Sequence, residues 1–328
     1  MTTYKEIRGT NIEAVASDLL NPVEGQVWYN TTTNLVKGFG RSLTAAWSTG
    51  GTMNTARNSL AGFGTQTASI GAGSINSVSA LAELYNGTNW TEVGDLRTAR
   101  GNAAGAGTST AGLFFGGSPP ASALTETWNG TSWTEVNDLN TARPTLAGAG
   151  TNTAALAFGG QPSTAVTETW NGTNWTEVGD LTTGRQYLAG CGTNTAALGF
   201  GGYTPSGPTA LTETWNGSSW TEVGDLNTAR TVLAGAGIST AALAFGGNNP
   251  TNPPATSTFA LTESWNGSAW TEISDLNIRK NSLAGSGIST AALAFGGQDQ
   301  QGTPPDNTGT TEEFNGVGSP ATVTFDVS

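Results

Sequence analysis

A unit reading TAR-x-x-LAGAG-T-x-T-AALAFGG, then a variable stretch, then LTETWNGTSWTEVGDLN recurs six times along this 328-residue chain. Internal repetition constrains a fold more than any other pattern. Each unit must be one supersecondary piece that buries its apolar face only against its neighbours. The arginine of the unit stands at Arg57, Arg100, Arg143, Arg185, Arg230 and Arg279, and its second tryptophan at Trp47, Trp90, Trp133, Trp175, Trp220 and Trp270. The spacing drifts only slightly while the motifs stay intact, so the insertions belong to loops.

Each unit parses into four short strands. Strand a surrounds LAGAG, strand b is AALAFGG, strand c is LTETW and strand d is SWTEV. With 47 glycines, 11% charged residues and few helix formers, an all-β chain is the class that fits. The Asn-Gly pair between Trp128 and Trp133 predicts a type I′ hairpin turn joining c and d. Leu124, Thr125, Glu126, Thr127 and Trp128 alternate, which predicts one buried and one solvated face for strand c. The Ala- and Gly-rich strands a and b suit a place where backbones approach closely.

A strand ending in a glycine pair such as Gly159-Gly160, followed by the aromatic Trp170 and then Trp175, resembles the Kelch repeat. The likeness runs from about residue 47 to 316. The family's usual tyrosine is replaced by Trp128, Trp170, Trp215 and Trp265, with Tyr85 and Phe314 as variants. The resemblance implies a six-bladed β-propeller over residues 46–316, flanked by an N-terminal arm (1–45) and a C-terminal tail strand (317–328). The last unit lacks its own d strand, and residues 46–57 align with 89–100 without a gap. The N-terminal strand at Trp47 is therefore expected to pair beside Phe314 and close the ring, which would bury the exposed edges of an open array. Residues 323–327 are the rival closing strand.

Charge and composition exclude several functions. The net charge of −12 and the absence of a Lys/Arg cluster argue against nucleic acid. Histidine is absent, so the copper chemistry of some Kelch-like oxidases has no imidazole to use, and no metal or cofactor is expected. No Ser-x-Asp-x-Gly-x-x-Trp box of sialidase propellers occurs, and no Ser–His or Cys–His pair is possible. Glu92, Glu135, Glu177, Glu222 and Glu272 recur with the repeat as scaffold does. The lone Cys191 stands where sister units carry Ala or Ser and reads as a small buried filler. The Asn-Gly-Thr sequons at 86, 129 and 171 read as turns, and the tryptophan stripes as core. The chain is expected not to be an enzyme.

The candidate binding residues are Arg57, Arg100, Arg143, Arg185, Arg230 and Arg279. With strand a innermost, they are expected to ring the mouth of a central channel. Either they pair with Asp95, Asp138, Asp180, Asp225 and Asp275 to fix the d-to-a connection, or their guanidinium forks hold an anion or an acidic peptide. The b–c loops share that face. The longest, NNPTNPPATSTFA and QDQQGTPPDNTGT, are where a rigid scaffold carries specificity.

Residues 1–45 break the repeat. Their EGQVWYNTTTN stretch resembles a segment of bacteriophage tail and appendage proteins. That resemblance implies a virion component made in the host cytoplasm without a signal peptide. Its arm, too poor in apolar residues to form a sizeable core, is expected to be ordered by pairing with other virion proteins. Its propeller would face a host-surface protein or glycan. The alternative is a cellular Kelch adaptor that binds a protein partner through its loop face. No stretch approaches the apolar length that spans a bilayer, so membrane insertion is not expected.

Overall fold

The computed structural model describes residues 13–17, 26–41, 45–75, 77–251, 257–299, 306–316 and 320–325. Parts of the arm, of the EGQ segment and of the two longest b–c loops lie outside them. The described residues are all-β, with no helix. Accordingly, no helix among them is long and apolar enough to cross a membrane. Contacts divide the chain into a unit of 46–315 and a smaller one that joins 1–45 to 316–328.

The large unit holds six four-stranded antiparallel sheets. Sheet 1 runs Ala61–Thr65, Ala68–Ser74, Ser79–Tyr85, Trp90–Glu92. Sheet 2 runs Ala104–Thr108, Ala111–Phe115, Thr125–Trp128, Trp133–Val136. Sheet 3 runs Ala147–Gly150, Ala155–Phe158, Thr167–Trp170, Trp175–Glu177. Sheet 4 runs Ala189–Gly192, Ala197–Phe200, Thr212–Trp215, Trp220–Glu222. Sheet 5 runs Ala234–Ile238, Ala241–Phe245, Thr262–Trp265, Trp270–Glu272. In sheet 6, Ala284–Ile288, Ala291–Phe295 and Thr311–Asn315 are completed by Ala46–Thr49, with Phe314 opposite Trp47. Strand a of each sheet lies beside strand a of the next, and that of sheet 6 beside that of sheet 1.

Two local expectations need correction. Among the described residues Asn129 is not left-handed; only Gly130 is, at φ 91°. The turn between Trp128 and Trp133 is therefore not type I′. It is held by the Asn129 side chain, whose Oδ1 accepts the N–H groups of Thr131 and Ser132, both at 2.9 Å. Strand c does not have a solvated face either: Thr125, Glu126 and Trp128 are buried and Thr127 is half-buried. Neighbouring sheets cover both sides.

The core lies in the seams between sheets. In five of the six sheets the strand-d tryptophan packs against the last phenylalanine of strand b in the sheet before it. Trp220 meets Phe158 with centroids 4.7 Å apart, and Trp175 meets Phe115 at 4.9 Å. Its indole N–H donates across the same seam to a threonine hydroxyl: Trp220 to Thr167, Trp175 to Thr125, Trp270 to Thr212, Trp47 to Thr262 and Trp90 to Thr311.

In the small unit, Glu13–Val15 pairs parallel with Val27–Asn30, which pairs antiparallel with Leu35–Arg41. Pro320–Phe325 adds the fourth strand beside Leu35–Arg41. The strand partner of the arm thus comes from the other end of its own chain. The WYN-TTTN stretch turns because Asn30 Oδ1 accepts the Thr32 and Thr33 N–H groups at 3.0 Å, with Asn34 left-handed at φ 56° and Trp28 fully buried.

Candidate functional site

Five of the repeat's six arginines, Arg57, Arg100, Arg143, Arg185 and Arg230, are buried. The Nη2 of Arg230 donates to Glu263 Oε1 at 2.8 Å, and its Nη1 to the Gly246 and Leu261 carbonyls, both at 2.9 Å. Arg57, Arg100, Arg143 and Arg185 pair in the same way with Glu83, Glu126, Glu168 and Glu213. Burial lowers the pKa of Arg57, Arg143, Arg185 and Arg230, and the facing glutamate opposes it. The second glutamate oxygen caps the connection that precedes the arginine: Glu168 Oε2 accepts from Asn140 N at 2.7 Å and from Asn140 Nδ2 at 2.8 Å.

This arrangement corrects the expected anion ring in three respects. The guanidinium forks are occupied by glutamates and carbonyls and are buried. The partner is the strand-c glutamate, not the aspartate. Each aspartate instead accepts a strand-c backbone N–H, as Asp138 does from Thr125 and Asp225 from Thr212, both at 3.0 Å. Finally, Arg279 is exposed, and Lys280 takes the sixth buried place, 3.2 Å from Glu312. The numbering already carried that register, since Asp275 precedes Lys280 by the same interval as Asp225 precedes Arg230. Burial also lowers the pKa of Lys280 against the pull of Glu312.

Two residues beyond each of these cations stands a second, unforeseen array. Ser59, Asn102, Thr145, Tyr187, Val232 and Ser282 are all left-handed, with φ between 50° and 59°. Each donates its backbone N–H to the carbonyl of its counterpart in the preceding repeat: Asn102 to Ser59, Thr145 to Asn102, Tyr187 to Thr145, Val232 to Tyr187, Ser282 to Val232 and Ser59 to Ser282. Six residues thus form a belt in which every member both donates and accepts. Left-handed backbone costs a non-glycine residue on the order of 1–3 kcal/mol, most for β-branched Thr145 and Val232. The unit uses glycine at another left-handed position, as at Gly150 (φ 109°), yet keeps a side chain at all six belt positions.

The belt residues, with the Leu or Ala that follows each, line a cavity of about 90 Å³. A second cavity is lined by that Leu or Ala and the Ala-Gly beginning strand a, from all six repeats. No charged residue lines either one. Small two-stranded ribbons extend the loop face at Tyr203–Thr204 with Gly207–Pro208 and at Asn248–Asn249 with Ser257–Thr258. The Cys191 thiol is buried, which pushes its pKa up to about 12 and leaves it unreactive. Among the described residues no group of three or more His, Cys, Asp or Glu side chains could hold a metal ion.

Sequence reasoning passed over the paired glutamates and the belt. Glu126 shares its strand parity with Leu124 and Trp128, so it had to be buried, and a buried carboxylate needs a cation. The belt coincides with the second variable position of TAR-x-x-LAGAG. A scan against protein-family models finds no match to this chain, and a search of curated proteins finds none either.

Proposed function

We propose that the six sheets are the blades of a closed, Kelch-like six-bladed β-propeller, and that the protein is a non-enzymatic binding and display module of a phage virion. The observation that carries the reading is the belt. Six repeats linked head to tail by one backbone hydrogen bond each, with Ser59 bonded to Ser282, require the first repeat to sit beside the last. The pairing of Trp47 with Phe314 supports closure by the N-terminal strand.

A binding role follows from how the recurring ionisable groups are used. The arginines, their glutamates and the aspartates are committed to the scaffold, which supports a structural over a catalytic use for these recurring groups. The belt side chain and the b–c loops vary from repeat to repeat, and both are held on a rigid frame at little ordering cost. The virion role rests on the likeness of the N-terminal segment to phage appendage arms, with the small unit as the attachment piece and other virion proteins as its partners. Immunogold imaging of purified particles tests it. Labelling of the particle surface supports the role, whereas a protein abundant in lysate and absent from particles would move the reading to a cellular adaptor.

A further inference from the structure

We infer that the belt-lined cavity takes an uncharged, hydroxyl-bearing partner, the terminal ring of a neutral sugar. The inference rests on the reading of the protein as a binding module and names the ligand chemistry of its mouth.

The first ground is the backbone. All six belt positions are left-handed, where glycine would relieve strain, and all six keep side chains, of five kinds. The flanking Arg or Lys and the LAG triplet hardly vary. The preceding position varies too, from Asn58 to Pro144 and Gln186, but it is not left-handed; strain and varied chemistry coincide only in the belt, as a recognition surface requires.

The second ground is hydrogen-bond polarity. The belt's backbone N–H groups are used within the belt itself. Thr145 Oγ1 donates to the Pro144 carbonyl at 2.7 Å, Ser282 Oγ to Asn281 Oδ1 at 2.9 Å, and Asn102 Nδ2 to Ser118 Oγ at 3.3 Å. With their protons directed into the protein, Thr145 and Ser282 offer only lone pairs to a visitor, whereas the Ser59 and Tyr187 hydroxyls and the second Asn102 Nδ2 proton are left to donate. The partner must therefore both donate and accept. An anion can only accept, and it finds no cation to neutralise it, because the arginines behind the belt are already paired. An ammonium would lose its hydration with no carboxylate in the lining to replace it. A neutral polyol meets neither penalty.

The third ground is shape. Leucines from five repeats form an apolar lining, with Tyr187 at its edge. A pyranose has one C–H face for such a lining and hydroxyls at its rim. The cavity is far smaller than the roughly 300 Å³ and above typical of drug-sized ligands, so it suits the end of a chain and binds weakly.

The test is saturation-transfer NMR on the full chain with methyl glucoside, methyl mannoside, methyl galactoside and N-acetylglucosamine, and with methyl phosphate and methylammonium as charged probes. The expected result is transfer to at least one neutral sugar and to neither ion. Thr145→Val, which removes an acceptor at nearly constant volume, and Tyr187→Asn, which still tolerates the left-handed backbone, should each weaken binding by about tenfold or more while the melting transition stays cooperative. The exposed Glu135→Gln should leave it unchanged. Transfer to none of the sugars, or ion binding that these variants abolish, overturns the inference. Failure here with particles that label positively removes only the sugar. Sugar binding by a protein absent from particles removes only the virion role.

Discussion

Five of the seams between neighbouring sheets are built alike, and the seam between sheets 1 and 2 is built differently. At the seam of sheets 3 and 4, Trp220 stacks on Phe158 and its indole donates to Thr167 at 3.0 Å. At the seam of sheets 1 and 2, Ala72 stands where Phe158 would be and Ala82 where Thr167 would be. The space is filled from elsewhere. Phe63 occupies a position held by Ala, Cys or Ser in the other sheets, and Phe114 one held by Ala or Gly. Both rings meet Trp133 edge-on, at 6.2 and 6.1 Å. The hydrogen bond is not recovered, and Trp133 Nε1 is buried without a partner. Apolar volume can be moved between strands because dispersion has no direction. An indole N–H needs an acceptor at one place, and no neighbour supplies it.

The largest effect that sharpens this contrast is truncation of the filler rings. Phe158→Ala at the regular seam should cost about 3–5 kcal/mol, and Phe63→Ala at the irregular one should cost as much. Urea denaturation with matched m-values checks it, and a loss at Phe63 below about 1 kcal/mol would mean that the volume is not truly redistributed. Next comes the polar contact. Thr167→Val should cost about 1–3 kcal/mol by giving Trp220 the defect that Trp133 already has. Its converse is Ala82→Thr, which should raise stability by about 0.5–1.5 kcal/mol by supplying the missing hydroxyl. Trp133→Phe in that background should erase the gain, and a gain that survives would belong to strand propensity instead. The smallest expected effect concerns the belt: Val232→Asn should add less than about 1 kcal/mol, since Asn tolerates the left-handed region and the belt N–H is kept. A loss on thermal melting would indicate that the Val232 side chain packs more than its strain costs.

The repeat made most of the architecture legible. The four strands per unit, the loop insertions and the pairing of Trp47 beside Phe314 follow from where the motifs recur. What could not be read depended on contacts between units. The left-handed belt is invisible because Ser, Asn, Thr, Tyr and Val share no turn preference. Their φ is imposed by hydrogen bonds to a residue more than forty positions away. The c–d turn misled because Asn-Gly satisfies two turn chemistries, and here the Asn129 side chain decides between them. The arginines were visible as a set, but the aspartates were read as their partners and the strand-c glutamates were passed over. Alternation counts apolar positions and cannot tell that both faces of a strand are covered. At the N-terminal segment, the sequence offered no sign that residues 320–325 would supply the neighbouring strand.

The belt links all six repeats, and amide hydrogen exchange of its six residues, followed by NMR, tests the proposed ring most directly. The Ser59 N–H is bonded to the Ser282 carbonyl, a contact that exists only if the first and last repeats are neighbours. Protection of Ser59 equal to that of Thr145 and Val232, all six amides exchanging only with global unfolding, is the predicted result. Exchange of Ser59 at the rate of an open loop, with the other five still protected, would contradict closure and with it the propeller.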